Sequence, residues 1–198
     1  VLTLVALWSS DRATVRPKLY YALMLLLNAA VSGAFLAQNA LLFFLFYEIE
    51  LIPLYLLIAI WGGPRRGYAA TKFLIYTAVS GVLILIAFLG LAWLTGATTF
   101  DYAVLQNQTL PLTIQLVLLG AILVGFGIKI PLVPFHTWLP DAHVEASTPV
   151  SVLLAGVLLK LGTYGLLRFG LGIFPEAWAV VSPWLATWAV VSVLYGSF

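Results

Sequence analysis

The sequence predicts an all-α polytopic membrane protein in which one transmembrane helix is broken by prolines and carries charge. Two observations predict the class and a third predicts the break. Of the 198 residues, 63% are hydrophobic and only 8% charged, where a soluble domain carries about a quarter. Uncharged apolar runs recur along the chain at spanning length, and about 20 residues cross the hydrocarbon. From Gly127 to Pro149 the sequence reads GIKIPLVPFHTWLPDAHVEASTP, with Pro131, Pro134 and Pro140 set among a lysine, two histidines, an aspartate and a glutamate. Broken backbone at membrane depth is tolerated only where protein buries it or water lines it. An ionisable residue at such a break is a functional-site candidate.

Composition also excludes some functions. The net charge of +2 is small and spread over loops, which argues against a nucleic-acid partner. The absence of cysteine excludes thiolate-held zinc, iron–sulfur clusters and disulfides within this chain. Seven Trp and nine Tyr are what interface belts require. A first residue that is Val rather than Met, and an apolar run still in progress at Phe198, predict an internal piece of a longer chain.

The whole length, 1–198, reads as a single membrane domain. Residues 1–8 resemble the tail of a span, and Asp11, Arg12, Arg16 and Lys18 form a polar loop with Pro17 near a helix start. Spans are expected at 19–37, 40–61, 73–94, 111–146, 148–169 and, cut short, 183–198. Asn39 is a plausible N-cap, residues 62–66 (GGPRR) are a loop, and Thr148-Pro149 has the character of a helix start. Residues 96–110, with Asp101, and 174–182 are expected as loops. Alternating crossings put Arg12, Arg16, Lys18, Arg65 and Arg66 on one side, with Asp101 and Glu176 on the other and Arg168 near its edge. The cationic side is then cytoplasmic or stromal. The stretch 111–146 is too long for one straight crossing of about 20 residues and reads as a discontinuous helix, with Lys129 at the break. Ile130, before a proline, is biased away from helical geometry, and Pro131 and Pro134 each remove a backbone donor.

Several residues in these helices are candidates for chemistry. Glu48 and Glu50 stand roughly ten residues into their span, where a carboxylate must be paired, hydrated or protonated. Successive helical positions turn by about 100°, so the two point to nearly opposite faces and are not expected to pair with each other. A plain salt bridge to a neighbouring helix is the favoured reading for Glu50, and a working role for Glu48. A buried lysine can take up and release a proton, and Lys129 and Lys160 are both flanked by apolar residues. Snorkelling is the bland alternative; the proline break argues against it for Lys129. A position about 16 Å up its helix argues against it for Lys160. Lys72, at the start of its helix, reaches the interface easily. His136 and His143 lack the spacing and companions of a zinc site, so no metal is expected. His136 is the better placed to hydrogen-bond in a water-filled connection, while Asp141 and Glu145 are expected to decorate a helix end or loop. No nucleophile, phosphate loop or dinucleotide fingerprint is present, so redox chemistry would belong to other chains. Acids, lysines and histidines in apolar helices are the composition of a proton or cation path.

Two stretches carry a resemblance. FYEIELIPLYLLIAIWG (46–62) and KIPLVPFHTWLPDAHVEASTPVSVLLAGVLLKLGTYGLLRF (129–169) resemble the antiporter-like chain 4 of respiratory complex I. The wording is most similar to the NAD(P)H–quinone oxidoreductase of cyanobacterial and chloroplast thylakoids. The resemblance implies an antiporter-like helix bundle, of which this chain covers roughly helices 3–9, in an integral, multi-pass thylakoid membrane protein. It places the family's glutamate on Glu48, two residues before the LxP turn, and its working lysines on Lys129 and Lys160, with a further lysine on Lys72. It implies that Glu48 pairs with Lys129 and that Lys160 relays protons; His136 is a supporting candidate on the reading of the residues themselves. Partners would be neighbouring membrane subunits and lipid. No cofactor is expected in this chain; NAD(P)H or ferredoxin, iron–sulfur clusters and quinone would belong to the parent complex. The expected function is a proton-translocating subunit of that oxidoreductase. A subunit of a multisubunit sodium/proton antiporter is the alternative, and a passive scaffold a third reading.

Overall fold

The computed structural model describes residues 1–10 and 15–197; Asp11 and Arg12, expected in a polar loop, lie outside them. The order is α1 (Leu2–Trp8), α2 (Pro17–Leu36), α3 (Ala40–Ile49), α4 (Leu51–Trp61), α5 (Arg66–Thr95), α6 (Tyr102–Gln106) and α7 (Leu112–Lys129). After a break come a 3-10 turn (Phe135–Thr137), α8 (Trp138–Glu145), α9 (Thr148–Leu153), α10 (Leu159–Gly165) and α11 (Pro175–Ser197). Two π-helical stretches, Leu154–Leu158 and Leu166–Leu171, flank α10. Among the described residues six segments are long and apolar enough to cross a membrane, α3 with α4 and α9 through Leu171 each counting as one. The protein is an all-α, polytopic, integral membrane protein.

Helix ends follow local chemistry. Asn39 caps α3, its Oδ1 accepting from the N–H groups of Leu41 and Leu42 at 3.1 and 3.2 Å. Pro17 opens α2, as its missing donor allows at a first turn. The expected span at 73–94 is longer: α5 begins at Arg66, so Lys72 stands well inside the helix rather than at its start. The last span also begins early, at Pro175 rather than 183, and the expected loop 174–182 is almost wholly helical. Pro183 lies inside α11; it cannot donate to the carbonyl of Ala179, and Ser182 Oγ takes that carbonyl at 3.3 Å. A neighbouring hydroxyl restores a satisfied acceptor, which is how a proline survives within a span.

The expected discontinuity resolves into an ordered exchange of hydrogen bonds. Pro131 has no N–H for the carbonyl of Gly127, so Leu132 donates to it at 2.8 Å. That leaves the carbonyl of Ile128, and the indole N–H of the fully buried Trp138 donates to it at 2.9 Å. Val133 N–H, which a continuous helix would give to Lys129, goes to Ser192 Oγ at 3.1 Å on α11. The far end is fixed by Glu145, which is buried. Its carboxylate accepts from the N–H of Arg65 at 2.8 Å, ahead of α5, and its carbonyl accepts from Gly63 at 2.8 Å.

Two apolar cores stack across the membrane. One gathers Phe43, Tyr47, Phe88, Phe126 and Phe169; the other gathers Leu54, Phe73, Trp138, Val150 and Leu154. Four of the six spans pass from one core to the other at polar residues: between Tyr47 and Leu51, between Phe73 and Ile84, between Phe126 and Trp138, and between Leu158 and Leu161. Glu48, Glu50, Thr77, Ser80, Lys129 and Lys160 stand in those intervals. The polar groups therefore share one layer between two dry cores.

Removing the indole donor by Trp138→Phe orphans the Ile128 carbonyl. The expected cost is about 1–3 kcal/mol, that of an unsatisfied buried acceptor, read as a lower temperature for heat-induced loss of the subunit from its membrane assembly.

Candidate functional site

Lys129 is the last residue of α7, and the prolines make that helix end inside the bundle. Its side chain is 1% exposed and its ammonium donates to Oε1 of Glu50, which is 0% exposed. The Tyr47 ring stands 4.6 Å from the ammonium, within cation–π range. Tyr47 is held in turn: its hydroxyl lies 2.7 Å from Ser80 Oγ, which donates to the carbonyl of Gly125 at 2.7 Å. This chain of bonds ties α3, α5 and α7 together one turn from the lysine. Glycine lets a further helix close in, since a Cβ on Gly162 of α10 would stand 3.2 Å from Lys129 Cβ.

The expected pairing of Glu48 with Lys129 is corrected: the ion pair is made by Glu50. Phe43, Tyr47, Glu50 and Leu54 recur at helical spacing and are all fully buried, whereas Glu48 stands on the flank of that stripe. Pro53 cannot donate to Ile49, and the chain hinges at Glu50, where the bonds from Glu50 N–H to Phe46 and from Leu54 N–H to Glu50 both lengthen to 3.3 Å. Glu50 thus stands at the kink between α3 and α4, and Lys129 at the C-terminus of α7. The ammonium meets a helix end of opposite sign.

Glu48 is nevertheless part of the same site. Its Oε1 is sealed from solvent and has no hydrogen-bond partner among the described residues, and Oε2 of Glu50 is likewise unpartnered. The Glu48 carboxylate lies within electrostatic range of both Lys129 and Glu50. It packs against Gly81 of α5 so closely that a Cβ there would collide with its Oε1. The salt bridge to a neighbouring helix expected for Glu50 is present, with Lys129 as its partner. Sequence reasoning missed Tyr47, Ser80 and Gly81; the inward stripe through Phe43, Glu50 and Leu54 was the available signal for Tyr47.

The other expected residues lie apart from this trio. Lys160 is exposed on its helix and donates to the carbonyl of Ala155 at 2.9 Å, across the π-helical stretch. It is not enclosed by the described residues, as its mid-membrane position led one to expect. Lys72 donates to Asp141 Oδ2 at 2.8 Å, with both side chains partly exposed, and so ties α5 to α8. His136 is half-buried, its Nδ1 unpartnered and its ring 5.0 Å edge-on from Tyr195. His143 Nδ1 meets Ser151 Oγ at 2.5 Å. Among the described residues no group of three His, Asp or Glu side chains is placed to hold a metal.

Gly81→Ala would drive the Glu48 carboxylate from its place or part α3 from α5. The expected cost is about 1–3 kcal/mol, typical of overpacking. Gly67→Ala, at a glycine with open space around it, is the control expected to leave thermal stability of the assembly unchanged.

A family model described as NADH:quinone oxidoreductase/Mrp antiporter, TM, matches residues 37–198. The chain is 54% identical over 198 residues to NAD(P)H-quinone oxidoreductase chain 4 2 of Microcystis aeruginosa, across 100% of this chain and 35% of that protein. It is 51% identical over 197 residues to NAD(P)H-quinone oxidoreductase chain 4-2 of Synechocystis sp., again across 100% and 35%. The chain thus spans about a third of the length of these curated relatives. Among solved structures it matches a chain of respiratory complex I from Thermus thermophilus with bound NADH at TM-score 0.83 and 32% identity, over 89% of this chain and 38% of that one. It also matches a chain of the Mrp complex from Dietzia sp. at TM-score 0.77 and 29% identity, over 91% and 20%.

Proposed function

We propose that this chain, which belongs to the NADH:quinone oxidoreductase/Mrp antiporter transmembrane family, is part of a proton-translocating membrane subunit of an NAD(P)H–quinone oxidoreductase. The carrying observation is the lysine buried at a helix break with one carboxylate bonded to it and a second, unpartnered carboxylate on the same helix as the first. The likeness at about half identity to chain 4 proteins of cyanobacteria, along the whole chain, favours the oxidoreductase over the antiporter reading. On this reading the membrane is the thylakoid and the partners are neighbouring membrane subunits. Electron donor, iron–sulfur clusters and quinone belong to other chains.

The proposed step uses the charges in place. A movement transmitted from the quinone end separates Lys129 from its carboxylate partner. An opposite charge favours the ammonium, so losing it favours release of the proton. The released proton passes towards Lys160, on the helix that Gly162 brings against Lys129, and His136 lines the connection. Lys160, exposed in this chain, hands the proton on to residues outside it.

Lys129→Ala in the intact complex is expected to abolish proton pumping while the complex still assembles, measured as acidification alongside electron transfer. Unchanged pumping and electron flow would make the lysine structural and end this reading. Sodium-dependent proton flux without an electron donor would instead favour the antiporter.

A further inference from the structure

We propose that Lys129 has two carboxylate seats, Glu50 and Glu48, and that its ammonium exchanges between them during the pumping step. The inference rests on the proposed function and extends it to Glu50, which the chain-4 resemblance leaves without a role.

Three observations carry it. The resting bond is made to Glu50, the residue at which the helix is hinged, rather than to Glu48. Glu48 has a sealed, unpartnered oxygen within electrostatic range of the same lysine, and Gly81 leaves the room its carboxylate occupies. Lysine is also the side chain suited to such a move, with a compact charge on a flexible four-carbon stem. A buried carboxylate without a donor is costly. In the resting state so proposed, Glu48 is the acid, Glu50 the carboxylate and Lys129 the ammonium.

The exchange moves one proton out of the trio. The ammonium, parted from Glu50, gives a proton to the relay towards Lys160, leaving the neutral amine. The amine then takes the proton of the Glu48 carboxyl, and the bond to Glu50 is replaced by one to the Glu48 carboxylate. The net result is one proton carried from Glu48 to the relay, with lysine as the carrier, and uptake of one proton by Glu48 returns the ammonium to Glu50. A single-pair site cannot do this, because its lysine returns to the carboxylate it left. Tyr47, bonded to Ser80 and facing the ammonium, holds the lysine near Glu50 in the resting state.

The test compares E50Q, E48Q and Lys129→Ala in the intact complex, measuring protons moved per electron transferred, with a structure of the assembled E50Q complex. The two-seat site predicts that E50Q loses pumping, that E48Q loses it too, and that the Lys129 ammonium of E50Q lies on Glu48. Full pumping in E50Q, or an ammonium that stays beside position 50, overturns the proposal. Should E50Q fail to assemble, Glu50→Asp decides. A carboxylate withdrawn by one methylene lets the ammonium settle on Glu48 if that seat exists, and an ammonium remaining at position 50 overturns it. Loss of pumping in Lys129→Ala with full pumping in E50Q rejects only the second seat, whereas full pumping in Lys129→Ala rejects the function itself.

Discussion

One constraint governs the structure: an ammonium and a carboxylate sit where almost no water reaches. Removing two such ions from water costs several kcal/mol each, and their attraction offsets this only with close geometry and further polar contacts. The fold supplies both. Glycines at 81, 125 and 162 bring α5, α7 and α10 close to the pair and its supports, and the Tyr47 ring faces the ammonium. The apolar cores above and below keep the layer dry and confine the polar groups to one depth.

The prolines act on the fold in a specific way. Losing a backbone donor in lipid is costly unless another group takes the freed carbonyl. Here Leu132, Trp138 and Ser182 each take one over. Serine and tryptophan near these prolines are thus part of the helix, and the break is a defined shape rather than a loose segment. Glu145 completes it by bonding the N–H of Arg65, so the far end of the broken helix and the start of α5 are held as one unit.

Much of this was legible in the sequence. Length and hydropathy give the crossings, Asn39 its cap, and Pro131 and Pro134 the break with Lys129 at its edge. What was misjudged follows from context. Pro183 and the charges near Arg66 looked like helix boundaries, yet a serine repairs the first, and the second sits where a helix can run on into the interface. The choice between Glu48 and Glu50 depended on which face of the helix turns inward, and the stripe Phe43, Tyr47, Glu50 and Leu54 gives that face. The exposure of Lys160 depends on what packs beside it, which no local pattern records. Lys72 and Asp141 are 69 residues apart in sequence, so their pairing had no signal at helical spacing.

The break also bears on what it would cost to separate such a pair. Parting a buried ion pair by removing one partner costs about 3–5 kcal/mol. Lys129 stands at the end of α7, and a helix end of favourable sign contributes up to about 2 kcal/mol in partly buried geometry, which offsets part of that cost. A continuous helix would offer its lysine no such terminus at this depth. Ending α7 at the polar layer therefore lowers the penalty for moving the lysine's charge while leaving its resting bond to Glu50 intact.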